Sequence, residues 1–157
     1  MISTKILSQH QVTINGFDNK PISIDTIRLN KTKFNCCKVI IFSHGFKGFK
    51  DWGPFNEIAK FFARSGYTFV KFNFSHNGTT VNDSKNFVDL EAFGNNNFSK
   101  ELYDLGCVID WVYNSFKVDH QEDYFFSNSD KLKKPKVFLF GHSRGGSISI
   151  LKSSEDT

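Results

Sequence analysis

The pentapeptide Gly141-His142-Ser143-Arg144-Gly145 has the residue types and spacing of a serine nucleophile held on a tight turn. It directly follows the continuously apolar residues 137–140, which are typical of a buried strand. In a glycine-x-serine-x-glycine turn between a strand and a helix, the serine hydroxyl stands above the edge of the sheet. Gly141 and Gly145 are expected there because neighbouring backbone passes too close for a Cβ. The pattern predicts that Ser143 is a catalytic nucleophile.

A second glycine-containing segment, His44-Gly45-Phe46-Lys47-Gly48, follows the apolar residues 39–42. Attack by a serine on a carbonyl group creates an oxyanion, and two backbone N–H groups are needed to hold it. We expect one of them from Arg144, at the start of the helix after Ser143, and the other from Phe46, with Lys47 as the second choice. His44 and Gly45 would support this loop, His44 by hydrogen bonding to its backbone.

Strands and helices alternate around these two segments. Residues 11–15 and 22–29 alternate between apolar and polar side chains, which predicts an antiparallel hairpin with one solvated face. Residues 39–42, 67–74 and 137–140 are predicted buried strands. Gly53-Pro54 predicts the start of a helix whose apolar face is Phe55, Ile58, Ala59 and Phe62, ending at Gly66.

The rest of the chain predicts one further helix and two long loops. Ser99 is the predicted cap of a helix with the apolar face Leu102, Leu105, Ile109, Val112 and Phe116. Residues 75–97 and 119–135 are predicted loops. The order of elements indicates an α/β domain with a mostly parallel sheet, helices on both faces and an antiparallel N-terminal edge.

The two glycine-containing segments resemble those of the α/β-hydrolase superfamily, in particular the bacterial esterase-like and serine-aminopeptidase-like hydrolases. Phe72-Asn73-Phe74-Ser75-His76-Asn77-Gly78 is also similar to the loop after the fourth strand in that subgroup. The resemblance extends over nearly the whole chain and implies an eight-stranded complete fold. It also implies a triad whose acid and histidine follow the nucleophile in the sequence.

The sequence departs from that order after Ser143. Only Glu155 and Asp156 follow as acids, too early for the triad acid, and no histidine follows at all. We therefore expect residues 1–157 to form a single, C-terminally incomplete α/β-hydrolase domain. Among the upstream histidines, His44 is the least unsuitable substitute base, although it is expected to hold the loop instead.

Two functional hypotheses remain open from the sequence. The first is a serine hydrolase that acts on a small-molecule carboxylic ester or similar acyl bond, by hydrolysis or by acyl transfer. The second is an inactive fragment or a non-catalytic interaction domain with a hydrolase-like fold. The aromatic residues Phe46, Phe49 and Trp52 either line a pocket or pack in the core, and we expect core packing.

Composition and charge disfavour other classes of function. Hydrophobic residues make up 39% and charged residues 23%, and the net charge of +4 is spread along the chain. The basic residues 131–136 are expected to be a solvated loop, so we expect no nucleic-acid partner. No signal peptide or membrane span is recognisable, and Cys36, Cys37 and Cys107 have no zinc spacing. We expect a cytoplasmic protein with no metal and no cofactor, and the sequence leaves its oligomeric state open.

Overall fold

A computed structural model describes residues 6–30, 38–116 and 134–155. Cys36, Cys37, His120 and most of the predicted loop 119–135 lie outside these ranges. Within them the chain forms five strands and four α-helices: β1 (Leu7–Asn15), β2 (Pro21–Leu29), β3 (Lys38–Ser43), α1 (Phe55–Arg64), β4 (Thr68–Phe72), α2 (Leu90–Gly94), α3 (Phe98–Ser115), β5 (Lys136–Gly141) and α4 (Arg144–Glu155).

One sheet contains all five strands in the order β1-β2-β4-β3-β5. The strands β4, β3 and β5 are parallel, and β2 pairs antiparallel with both β1 and β4. This arrangement confirms the predicted parallel sheet with an antiparallel N-terminal hairpin. Because β3 and β5 are parallel neighbours, their carboxyl ends bring His44 and the residues after Gly141 to the same edge of the sheet.

Helices cover both faces of the sheet, as predicted. On one face α1 packs over a cluster that contains Phe42 and Phe69, and on the other α3 and α4, with Ile148 of α4, pack over Ile41 and Val70. The continuous apolar character of β3 and β4 follows from this double coverage. The expectation of a solvated face fails for β2, where residues 22–27 are all buried, because Ile22 and Ile24 lie in the apolar cluster on one face of the sheet and Ile27 lies in the cluster under α1 on the other.

Helix boundaries differ from the sequence expectations in detail. Pro54 occupies the position before α1 instead of its first turn, and Gly66 has the expected left-handed backbone with φ of 91°. Asn97, and not Ser99, caps α3, because its side chain accepts a hydrogen bond from the Lys100 N–H. The predicted loop 75–97 contains the short helix α2.

Strand β5 lies at the edge of the sheet and pairs only with β3 among the described residues. Its residues Phe138 and Phe140 retain 45% and 38% of their accessible surface. The edge of the sheet beside the Ser143 turn is thus apolar and open. No helix in the described ranges is both long and apolar enough to cross a membrane.

Candidate active site

Ser143 lies on the tight turn that the sequence predicts. Strand β5 ends at Gly141, helix α4 begins at Arg144, and Ser143 between them is exposed, with φ of 54°. A non-glycine residue in this left-handed region carries backbone strain, which is a recurrent feature of functional turns. The Ser143 carbonyl accepts the N–H of Gly146 at 2.9 Å, and the His142 N–H donates to the Ser43 carbonyl at 3.0 Å.

Close backbone packing explains both flanking glycines. A Cβ on Gly145 would lie 2.5 Å from the carbonyl oxygen of His44 and closer still to that of Ser43. A Cβ on Gly141 would overlap the backbone of Gly145 and Gly146. Since backbone atoms cannot move aside as a flexible side chain can, only glycine fits at 141 and 145.

The loop after β3 lies directly against the Ser143 turn. A Cβ on Gly45 would be 3.1 Å from the Cβ of Ser143, and also 3.1 Å from the carbonyl oxygen of His142. The two segments singled out from the sequence are therefore in contact. The absence of a side chain at Gly45 leaves room for the Ser143 side chain.

The orientation of the Gly45–Phe46 peptide is fixed from its carbonyl side. The Gly45 oxygen accepts hydrogen bonds from His44 Nδ1 at 2.9 Å and from the Gly48 N–H at 3.0 Å. The chain has no cis peptide bond in its described part, so the Phe46 N–H points opposite to this carbonyl. It is directed away from the interior of the loop.

The backbone N–H groups of Phe46, which follows Gly45, and of Arg144, which follows Ser143 and begins α4, have no acceptor among the described residues. The first N–H groups of any helix lack an intrahelical partner and carry the positive end of the helix dipole. An oxygen atom bearing negative charge is the group that such donors accommodate.

His44 is buried and serves the loop with both of its ring nitrogens. Nδ1 faces the Gly45 carbonyl, and Nε2 is 3.4 Å from the side-chain nitrogen of Asn77. Burial lowers the pKa of His44 from 6.5 to about 4, although the hydrogen bond to Gly45 acts in the opposite direction. The ring is neutral at pH 7, and neither nitrogen is free to take a proton from Ser143.

The other described histidines are also unsuited to that role. His142 is next to Ser143 in the chain, and its ring stacks on Trp52 with centroids 6.3 Å apart. His76 is hydrogen-bonded to Ser75 Oγ at 2.8 Å, and burial together with Lys100 and Lys20 lowers its pKa. His10 lies on β1, at the opposite edge of the sheet.

The Arg144 side chain connects the turn to α3 and to the loop after β3. Its Nε donates to Glu101 Oε2 at 2.8 Å, and Glu101 is itself buried. The guanidinium lies over the rings of Phe98, at 4.5 Å, and of Phe46, at 5.6 Å. Sequence reasoning missed Glu101, because an acid three residues into a helix is ordinarily a solvated first-turn residue.

A group of four charged residues, of which Asp25, Lys50 and Lys71 are buried, also escaped sequence analysis. Lys50 Nζ lies 2.6 Å from Asp25 Oδ2 and 2.8 Å from Asp51 Oδ2, and Lys71 Nζ contacts the same two carboxylates. Burial alone would raise the pKa of Asp51, but the hydrogen bonds from Lys50 and Lys71 outweigh it and lower that pKa. This network fixes the end of the loop that begins at His44. Its signal in the sequence is a lysine between Val70 and Phe72 in an otherwise apolar strand.

The loop after β3, which contacts the Ser143 turn, carries exposed aromatic side chains. Phe46 is 55% exposed and stacks on Phe93 of α2, and Trp52 is 48% exposed. The expectation that these two residues pack in the core is wrong, because both lie on the loop that follows the carboxyl end of β3. Phe49 is half-buried.

Comparison with known proteins assigns the fold. A brefeldin A esterase, described as a bacterial homologue of human hormone-sensitive lipase, superposes with a TM-score of 0.62 at 18% identity, over 98% of this chain and 37% of its own. A dienelactone hydrolase from Anabaena variabilis gives a TM-score of 0.64 at 15% identity, over 95% and 58%. This chain has an α/β-hydrolase fold.

A further α/β-hydrolase, a cold-adapted esterase from an Arctic intertidal metagenomic library, matches with a TM-score of 0.66 at 12% identity, over 96% of this chain and 56% of its own. The chain thus spans roughly half the length of the α/β-hydrolases that it matches. No family model and no curated protein matches the sequence. The predicted resemblance to this superfamily is confirmed at the level of the fold.

Proposed function

We propose that this chain carries the nucleophile and the oxyanion hole of a serine hydrolase that acts on a carboxylic ester or a similar acyl bond. The observation that supports the proposal best is the contact between Gly45 and Ser143, which joins the loop after β3 to the turn after β5. In this assignment Ser143 Oγ attacks the carbonyl carbon. The N–H groups of Phe46 and Arg144 donate to the oxyanion that forms.

The supporting residues each have a defined task in this proposal. His44 and Gly45 orient the Phe46 N–H, and Gly141 and Gly145 permit the close packing of the turn. Phe46 is preferred to Lys47 as donor because the carbonyl of its peptide is held by two hydrogen bonds. No cofactor or metal takes part.

None of the described histidines is placed to accept the proton of the Ser143 hydroxyl. In this proposal another group must accept it. Both nitrogens of His44 are engaged, Nδ1 by the Gly45 carbonyl and Nε2 by Asn77, and the sequence contains no histidine after Ser143. Without its histidine, a serine triad retains only a residual rate enhancement of about 10³–10⁴ over water. The 157-residue chain should therefore turn over esters slowly, and an added base should accelerate the reaction.

Imidazole in solution supplies such a base and provides the test. We expect hydrolysis of p-nitrophenyl butyrate by the chain to rise with imidazole concentration, after subtraction of the reaction without protein. Ser143→Ala should abolish this increment. Ser147→Ala, an equally exposed serine on α4, should keep it.

Equal rates for the parent chain and Ser143→Ala at every imidazole concentration would overturn the proposal and favour a non-catalytic interaction domain. Fast turnover in the absence of imidazole, if Ser143→Ala abolishes it, would contradict only the claim that the chain lacks a catalytic base. His44→Gln would then show whether His44 is that base.

A further inference from the structure

The loop after β4 makes a specific contact with the loop that carries Phe46. Asn77 is 4% exposed, and its side-chain nitrogen lies 3.3 Å from the Gly48 carbonyl oxygen and 3.4 Å from His44 Nε2. Its side-chain oxygen accepts the backbone N–H of Thr79 at 3.1 Å and the Thr79 hydroxyl at 2.8 Å. All the hydrogen-bonding groups of this buried amide are engaged.

These partners fix which way the Asn77 amide points. A backbone N–H can only donate, so the atom facing Thr79 N must be the amide oxygen. The amide NH₂ then faces Gly48 and His44. Because NH₂ can only donate, His44 Nε2 must carry a lone pair, and the proton of the neutral ring must be on Nδ1.

The Nδ1 proton in turn holds the Gly45 carbonyl. A carbonyl oxygen can only accept, so the 2.9 Å contact with His44 Nδ1 requires this tautomer. The same peptide unit contains the Phe46 N–H, directed to the opposite side. If Nε2 carried the proton instead, two lone pairs would face each other at Gly45, and the peptide would be free to rotate.

We propose that Asn77 is a positioning residue for the oxyanion donor of Phe46, acting through the tautomer of His44 and the carbonyl of Gly48. This inference rests on the proposed function for the role of Phe46. The chain of contacts itself is independent of that role. The loop after β4 thus takes part in the site although none of its side chains needs to touch the substrate.

Nitrogen-15 NMR of the histidine rings tests the contacts directly in the unmodified chain. At pH 7, His44 should be neutral with a protonated Nδ1 and an unprotonated Nε2. It should remain neutral until the pH approaches its pKa of about 4. His142, the titratable neighbour that also lowers this pKa, should be followed in the same spectra. A protonated Nε2, or titration near 6.5, would overturn the proposal even if no variant folds.

Asn77→Asp gives the second measurement. A carboxylate beside Nε2 favours a proton there, so the pKa of His44 should rise above the usual histidine value of about 6.5. At a pH above that pKa, the neutral ring keeps its proton on Nε2, facing the carboxylate, so Nδ1 no longer donates to the Gly45 carbonyl. The carboxylate also repels the Gly48 carbonyl. At that pH the imidazole-assisted rate that depends on Ser143 should therefore fall by about 10²-fold, the effect of losing one oxyanion donor.

Asn95→Asp is the matched control. It makes the same change of charge, and Asn95 is exposed at the end of α2. It should leave both the His44 titration and the rate unchanged. An Asn77→Asp protein that raises the His44 pKa but keeps the full rate would overturn the positioning role. Failure of the proposed function would give a different result: the imidazole-assisted rate of the parent chain would not depend on Ser143.

Discussion

Gly45 and Ser143 are in contact although they are 98 positions apart in the chain, and a Cβ on Gly45 would lie 3.1 Å from the Ser143 Cβ. The contact arises because β3 and β5 are parallel neighbours that end at the same edge of the sheet. It brings the segment of Phe46, whose N–H has no acceptor among the described residues, against a strained, exposed serine. The arrangement depends on several features that can be changed one at a time.

The close packing at Gly145 can be tested by adding one methyl group. In Gly145→Ala the new Cβ would overlap the carbonyl oxygens of Ser43 and His44. Overpacking typically costs about 1–3 kcal/mol, and we expect the upper end because backbone atoms must move. Urea unfolding measures the loss. Gly94→Ala adds a methyl group where no atom lies within 4 Å and should leave the midpoint unchanged or raise it.

The buried His44 predicts a specific loss of stability in mild acid. Its pKa is about 4 in the folded chain and 6.5 as the ordinary value, so the unfolded chain binds a proton in this interval and the folded chain does not. The free energy of unfolding should therefore fall as the pH drops from 6.5 to 4, by about 3 kcal/mol from this residue.

His44→Gln removes this titration. Its curve of unfolding free energy against pH should start below that of the parent chain at pH 7.5 and approach it as the pH falls to 4. Curves that stay parallel over the whole interval would show that His44 titrates normally in the folded chain.

The charged network beneath the loop predicts a large effect of a single substitution. Lys71→Met leaves Asp25 and Asp51 with Lys50 as their shared partner in a buried environment. Breaking a buried ion pair by removing one partner costs about 3–5 kcal/mol. Lys60→Met breaks an exposed pair with Glu57 and is the control, with no expected change in the urea midpoint. Equal midpoints for the two variants would show that the network does not stabilise the chain.

The open edge at β5 predicts self-association of the 157-residue chain. An apolar edge strand with unpaired backbone groups recruits other chains, and a lysine on such a strand opposes this. Sedimentation velocity should detect oligomers that grow with concentration, and Phe138→Lys should reduce them. Ile150→Lys replaces a side chain that is 72% exposed on α4 and leaves the backbone of the edge strand unchanged, so it should have little effect. A parent chain that stays monomeric at all concentrations would contradict this prediction.

Much of the fold was predictable because its signals are local. Continuous apolar residues identified β3, β4 and β5, and the glycines around Ser143 and after His44 identified the two loops. The Asn97 cap was missed because both Asn97 and Ser99 are suitable residue types, and only the backbone decides between them. Helix α2 is only five residues long, too short to give a periodic pattern.

The supporting residues of the site could not be found in the same way. These residues act through partners that are distant in the sequence: Asn77 through His44, Glu101 through Arg144, and Asp25 through Lys50. Their types are also common on surfaces. Burial of a polar side chain is a property of the folded chain, and its partner is known only when the strands are in register.

A covalent adduct at Ser143 tests the central claim most directly. A fluorophosphonate reacts with a nucleophilic serine, and its tetrahedral phosphonyl group imitates the intermediate of ester hydrolysis. The chain should be treated with this reagent in imidazole buffer and analysed by peptide mass spectrometry and crystallography. The account predicts an adduct on Ser143 with one phosphonyl oxygen within about 3 Å of the backbone nitrogens of both Phe46 and Arg144. An adduct spread over other serines, or an oxygen that neither nitrogen approaches, would contradict it.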